Sequence, residues 1–243
     1  MPNVTLWGII SNTFIAFLDK LHFVLIEGNR YNLIINGFKN TLIMAFFATF
    51  IGIAIGVVIA VIKYFAAGKK NFLWRFLNWL CTVYTTVIRG TPVTVQLLIL
   101  SASILTFMRE ALPIAIIGFG LNSGAYVSEI IRAGISAVDK GQTEAGRSLG
   151  LTQGATMRYI VMPQAIKNIL PALGNEFIVL LKETSIAGYI AVHDLTKAGE
   201  MIKNNLYDGT ALFIVALIYL ALVMGMTVIL RRFERRLAKS DNR

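Results

Sequence analysis

Glu129, Glu176, Lys182 and Glu183 are the residues of this chain best placed to do chemistry, because each falls in a long apolar run. An ionisable group inside a membrane span costs about 2.5 to 3.5 kcal/mol on insertion scales, so each is a site candidate. Glu176 lies mid-run, after Pro171 and beside Asn175. A carboxylate there needs a positive partner, either a lysine or arginine side chain or a cationic group brought by a ligand. Glu176 and Glu183 share one face of an ideal helix, ~10.5 Å apart, and Lys182 points elsewhere. Lys182 and Glu183 either balance each other's charge or touch a ligand. Asn122 and Ser123, halfway along another run, offer hydrogen bonds to a ligand or between helices. Tyr126, one turn on, either joins their face or packs in the core. Glu129 and Arg132 have the spacing of an ion pair.

Several chemistries are excluded. One cysteine and two histidines cannot build a disulfide framework or an all-Cys/His zinc site. Neither His22 nor His193 has a carboxylate or nucleophile at helical spacing within a span, and His193 with Asp194 reads as a solvated turn. No Gly-x-x-x-x-Gly-Lys-Ser/Thr string is present to cradle phosphates, so the chain hydrolyses no ATP of its own and needs no cofactor. Gly118, Gly120 and Gly124 lie in an apolar span with no strand before them, and with Gly52 and Gly56 they read as close helix packing.

The elements that must position these groups are membrane helices. The composition is 56% hydrophobic and 15% charged, with a mean hydropathy of +0.67, far from soluble usage. A bilayer core takes about 20 apolar residues per helix. Five runs qualify: Thr41–Ile62, Thr85–Phe107, Leu112–Ile131, Tyr159–Ile190 and Ala211–Leu230. The fourth carries Pro163, Lys167, Pro171, Glu176, Lys182 and Glu183, so it should kink and face protein. Val4–Ile26, broken by Asp19, Lys20 and His22, suits an interfacial helix better than a sixth crossing. Its first cation, Lys20, follows the apolar stretch, the reverse of a cleavable signal. The expected organisation is an interfacial segment at 1–31, one membrane domain at 32–237 and a tail at 238–243, with no internal repeat.

The net charge of +10 does not indicate nucleic acid, since no basic patch interleaves with aromatics. Sixteen of the 23 cations fall in three segments on one side of the alternating runs, including Arg132–Lys167 and Arg231–Arg243. Six fall on the other side. Cytoplasmic loops hold the excess, so the N-terminus is outside, the C-terminus inside, and 132–158 is a cytoplasmic loop.

That loop reads Gly141-Gln-Thr-Glu-Ala-Gly-Arg-Ser-Leu-Gly150-Leu-Thr-Gln-Gly154, then Ile160-Val-Met-Pro163. Thr143 can cap a short helix, Glu144 and Arg147 sit at i and i+3, and Gly150 can end it left-handed. The run resembles the EAA loop of ABC-importer permeases: Glu-Ala-Ala, three residues, Gly, nine residues, Ile-x-Leu-Pro. Glu144, Ala145, Gly150, Ile160 and Pro163 are in register. Gly146 replaces the second alanine, which should loosen the helix by roughly 1 kcal/mol, and Met162 replaces the leucine. Arg89-Gly-Thr-Pro-Val-Thr-Val-Gln96, Ser123-Gly-Ala-Tyr-Val-Ser-Glu-Ile-Ile-Arg132, Pro163-Gln-Ala-Ile-Lys-Asn-Ile-Leu-Pro171 and Leu180-Leu-Lys-Glu-Thr-Ser185 are similar to the polar amino-acid branch of that family. The likeness covers roughly Gly37 to Leu237.

The resemblance implies an all-α, five-span permease in a bacterial inner membrane. It implies pairing with a second permease, identical or closely related, with two cytoplasmic ATPase subunits that bind the ATP, and with an external solute-binding protein. Glu144, Ala145, Gly146, Arg147, Ser148, Leu149 and Gly150 carry over as the ATPase coupling segment. The solute is expected to be a polar amino acid, cationic on the strength of Glu176, with glutamine and cystine as alternatives. Its path is expected between the third and fourth spans. The competing class is a self-sufficient secondary transporter or channel, which would put inverted repeats and proton-relay residues in the spans.

Overall fold

A bilayer offers the backbone no water to bond, so apolar runs without turn residues must close their hydrogen bonds within themselves as helices. The computed structural model describes residues 19–239, and every regular element among them is helical. In chain order these are α1 (Tyr31–Ala66), α2 (Phe72–Gly90), α3 (Val93–Ile99), α4 (Ala111–Ser136), α5 (Lys140–Ser148), α6 (Met162–Glu183), α7 (Leu195–Leu206) and α8 (Thr210–Lys239). A π-helical turn, Leu100–Ile104, continues α3. Another, Met157–Val161, leads from the short helical turn Gln153–Thr156 into α6. The expected interfacial segment lies largely outside the described residues. Its last part, 19–25, is helical.

Three stretches are long and apolar enough to cross a membrane alone: Glu27–Ala66, Ala111–Ser136 and Thr210–Leu237. The run Thr85–Phe107, expected as one crossing, is instead shared by two helices meeting at 108°. Pro92 is the cause: it lacks the N–H that would continue the helix and disfavours helical geometry at the residue before it. Thr91 is accordingly extended, at φ −122° and ψ 147°. The fourth run also departs from expectation. Its helix already begins at Gln153, continues through Pro171, and gives way after Glu183 to a 3-10 helix, Thr184–Ile190. Pro163 follows closely on the π-helical turn Met157–Val161, an irregularity that accommodates a residue without an N–H inside a continuous helical run.

The 36 residues of α1 would span about 54 Å, and α4 lies against them. Glycines make the approach close. A Cβ on Gly52 would fall 2.7 Å from the Ser123 hydroxyl, and one on Gly56 2.4 Å from Val127. From the other side, Gly120 and Gly124 receive Ile51 and Ile55 at 2.6 and 2.7 Å. This is the small-residue packing expected from the sequence, with dispersion contacts taking the role that water exclusion plays in soluble cores. Beyond it, α4 packs on α6, and α6 on α8 through Gly174 and Leu230. Met44, Leu97, Phe119 and Leu180 fill the centre of this bundle.

The end of the bundle away from α5 is closed by a hook. Asn40 donates to the His193 carbonyl at 2.9 Å, Thr41 Oγ1 accepts from the Leu195 N–H at 3.1 Å, and Gly37 lies under the Asp194 carbonyl. Asp194 is therefore fully buried rather than part of a solvated turn. It caps α7, accepting the Thr196 and Lys197 N–H groups at 2.8 and 3.1 Å. Burial pushes its carboxyl above the usual range, and those backbone donors oppose the rise.

Candidate functional site

Ser123 is fully buried on α4, and its hydroxyl donates to Glu176 Oε1 on α6 at 3.1 Å. Two residues singled out separately in the sequence thus meet at the packing seam, directly beneath Gly52 of α1. Glu176 is half-buried, and Asn175 beside it is exposed. Among the described residues no cation stands within ion-pair distance of Glu176. Its Oε1 is held by a neutral hydroxyl, which fixes its position and supplies no positive charge.

Asn122 is also buried, but it faces the other way and donates to Gln96 Oε1 at 3.0 Å. Gln96 in turn donates to the Ile88 carbonyl at 2.7 Å and the Thr91 hydroxyl at 2.8 Å. One side chain satisfies carbonyls freed where α2 ends and ties the Pro92 bend to α4. The sequence reading missed Gln96, although an amide inside an apolar run was a signal. Tyr126 does not join the Ser123 face: it is 38% exposed, with the Arg89 guanidinium 5.5 Å from its ring centre. Lys182 is exposed and lines a cleft with Ser185, Thr196 and Tyr219, away from Glu176. Glu183 is half-buried. No ion pair joins it to Lys182 among the described residues.

Glu129 and Arg132 form the expected ion pair, at 2.7 Å. The carboxylate has two further cations that the sequence reading did not assign to it. Lys63 of α1 lies at 3.7 Å and Arg89 of α2 at 3.8 Å. No local spacing could have found them, since both reach Glu129 only through the packing of three helices.

The loop helix α5 is capped by Asp139, which accepts the Gly141 N–H at 2.6 Å, and not by Thr143. It ends as expected: Gly150 is left-handed at φ 81°, and the Leu149, Gly150 and Leu151 N–H groups bond back to Ala145, Arg147 and Gly146. Gly146 alone of residues 144–150, the segment expected to couple to an ATPase, is buried. Glu144, Ala145, Arg147, Ser148 and Gly150 are exposed, and Leu149 is 80% exposed. Gly146 faces the turn leading into α6, and a Cβ there would lie 2.7 Å from Thr156 Cγ2 and 2.8 Å from Ile160 Cδ1. The glycine that loosens the helix is thus the one that lets it seat. Gly146→Ala gains about 1 kcal/mol of helix propensity but meets an overpacking cost of about 1 to 3 kcal/mol. The expected net result is faster proteolytic cleavage of 139–152 in the variant, and slower cleavage than wild type would show that the seat can relax.

The chain matches the family described as binding-protein-dependent transport system inner membrane component over residues 52–239. The arginine transport system permease protein ArtQ of Bacillus subtilis (strain 168) is 39% identical, over 86% of this chain and 94% of that protein. The glutamine transport system permease protein GlnP of Escherichia coli (strain K12) is 36% identical, over 84% and 93%. Among solved structures, an amino acid ABC transporter crystallised with histidines superposes with a TM-score of 0.80 at 41% identity, covering 90% of this chain and 98% of that one. The inward-facing MetNI methionine ABC transporter shares the fold, with a TM-score of 0.74 at 19% identity. With the family pattern running from the middle of α1 to the end of α8, the chain belongs to the binding-protein-dependent transport system inner membrane components, the permeases of ABC transport systems.

Proposed function

We propose that this permease moves a polar L-amino acid inward across the bilayer, a cationic one such as arginine or lysine. The observation that carries the reading is the Glu176 carboxylate, half-buried in the seam between α4 and α6 and held by Ser123 with no cation beside it. The ammonium or guanidinium of a passing solute would supply the missing charge. One relative is named for arginine, which supports a cationic solute. Those named for glutamine keep a neutral one as the second reading.

The chain is not an enzyme, and ATP hydrolysis belongs to a separate subunit. In the proposed arrangement it crosses five times. The bent pair of α2 and α3 counts as one crossing, and α6, too polar to face lipid, counts as another, covered by protein. The cation distribution supports an outside N-terminus and an inside C-terminus. Two copies, or this chain and a close relative, would pair over two ATPase subunits, with α5 seated in a groove of each. An external binding protein would deliver the solute at the opposite end, and the groove between α4 and α6 would open to one side at a time. Reconstituted with its ATPase and binding protein, the chain is expected to take up labelled arginine only when ATP is supplied. Uptake by the purified chain alone, without ATP, would show a secondary transporter instead.

A further inference from the structure

At the end of the bundle that carries α5, two adjoining clefts are lined by neither Ser123 nor Glu176. The larger, of ≈ 360 Å³, is walled by Val57 and Val61 of α1, Ile131 of α4, and Ile166, Ile169 and Leu173 of α6. Its wall is apolar almost throughout. The smaller, of ≈ 200 Å³, is bordered by Lys63, Ser128, Arg132 and Ser136. Ala60, Tyr64 and Ile135 line both, so the two meet along that wall.

Charge decides what fits. Lys63 and Arg132 lean on one carboxylate, Glu129, which Arg89 also approaches from α2. Three cations around one anion leave positive charge uncompensated, and it borders the smaller cleft. A fourth cation, Lys69, stands 5.6 Å from the ring centre of Phe65, itself part of the apolar wall. A free anion would use only the smaller, cation-rimmed cleft and a neutral lipid only the larger, apolar one. A molecule with an anionic head and a hydrocarbon tail uses both, and basic pockets between membrane helices recognise such headgroups. The larger volume is that of a small-molecule pocket rather than of a helix-packing face.

We propose that this corner binds one anionic phospholipid, with its phosphate on the cleft side of Lys63 and Arg132 and one acyl chain along α1, α4 and α6. Ser136 and the Tyr64 hydroxyl stand where the glycerol would lie. The bound lipid would splint α1 to α4 and α6 beside the α5 loop, and α4 and α6 are the two helices that also hold Ser123 and Glu176. Nothing in this depends on which solute is carried.

The test uses the chain purified with its ATPase subunits in phosphatidylcholine vesicles, with spin-labelled phosphatidylglycerol or spin-labelled phosphatidylcholine as a trace probe. The motionally restricted fraction of each probe gives a relative association constant. Phosphatidylglycerol is expected to be favoured by about fivefold for each cation engaged. Ser136→Glu places a carboxylate in the smaller cleft while leaving the Glu129 ion pairs intact, and should remove most of that preference. Val61→Trp fills the apolar cleft and should lower it as well. Equal association of both lipids with the wild type overturns the proposal, as does a preference unchanged in both variants. Full displacement of the lipid by millimolar inorganic phosphate would reduce the corner to a simple anion site. A disulfide formed between two copies at Val57→Cys or Ile166→Cys would assign the cleft to a second chain and overturn the proposal too.

Discussion

Replacing Glu176 with glutamine is expected to slow uptake of arginine or lysine tenfold or more while neutral amino acids keep most of their rate. The substitution removes charge and little else. A glutamine carbonyl oxygen can still accept from the Ser123 hydroxyl, which now reaches Glu176 Oε1 at 3.1 Å, so the contact between α4 and α6 persists. The carboxylate lies where the local dielectric is far below that of water, and an ion pair lost there is worth more than one at the surface. A tenfold change needs only about 1.4 kcal/mol. Uptake rates of cationic and neutral amino acids, compared between wild type and variant at matched expression, give the answer. Ser123→Ala is the companion, since it removes the hydrogen bond and leaves the charge; it should slow both classes of solute alike. Equal loss for both classes in Glu176→Gln would mean that the residue holds helices together. Equal retention would place the solute elsewhere, with the amide pair of Asn122 and Gln96 the next candidate.

Why Glu176 was legible and its setting was not follows from what one-dimensional spacing carries. A carboxylate in an apolar run is visible at once, because its insertion cost demands a partner. That Ser123 is the group that reaches it depends on Gly52 and Gly124 letting α1 and α4 approach, which fixes the rotation of α4. Glycine spacing announced the close packing without saying which residues would meet. Pro92 was passed over because the apolar run continues past it, and this hid a 108° bend that Gln96 stabilises from four residues away. Local electrostatics were readable for Glu129 and Arg132, one turn apart on α4, whereas Lys63 and Arg89 arrive from α1 and α2. The α5 cap was misplaced onto Thr143 although Asp139, an equally good capping residue, precedes the helix by one position. His193 and Asp194 looked solvated because both are polar. Only the hook formed by Gly37, Asn40 and Thr41 shows why the aspartate is buried.

The coupling segment should respond as sharply as the carboxylate, through shape at one residue and charge at another. Gly150 holds φ at 81°, a region where a β-branched side chain clashes with its own backbone. Gly150→Val must therefore unwind the end of α5 and release the Leu149, Gly150 and Leu151 N–H bonds to Ala145, Arg147 and Gly146. Leu149, the most exposed apolar side chain of that helix, then loses its fixed direction. Glu144→Lys leaves the helix whole and reverses one exposed charge, which alters electrostatic complementarity with a docked partner. In both variants the recovered ATPase per permease and the rate of ATP-dependent uptake are expected to fall tenfold or more, about 1.4 kcal/mol of association free energy. The transmembrane packing should be untouched, because neither residue contacts the seam between α1 and α4; thermal unfolding of the purified permease should match wild type. A milder loss is expected for Gly150→Ala, whose single methyl group tolerates left-handed geometry better than a branched side chain. If Gly150→Val and Glu144→Lys both retain the ATPase at normal yield and transport normally, α5 is a solvated loop helix and docking must be sought on another surface of the permease.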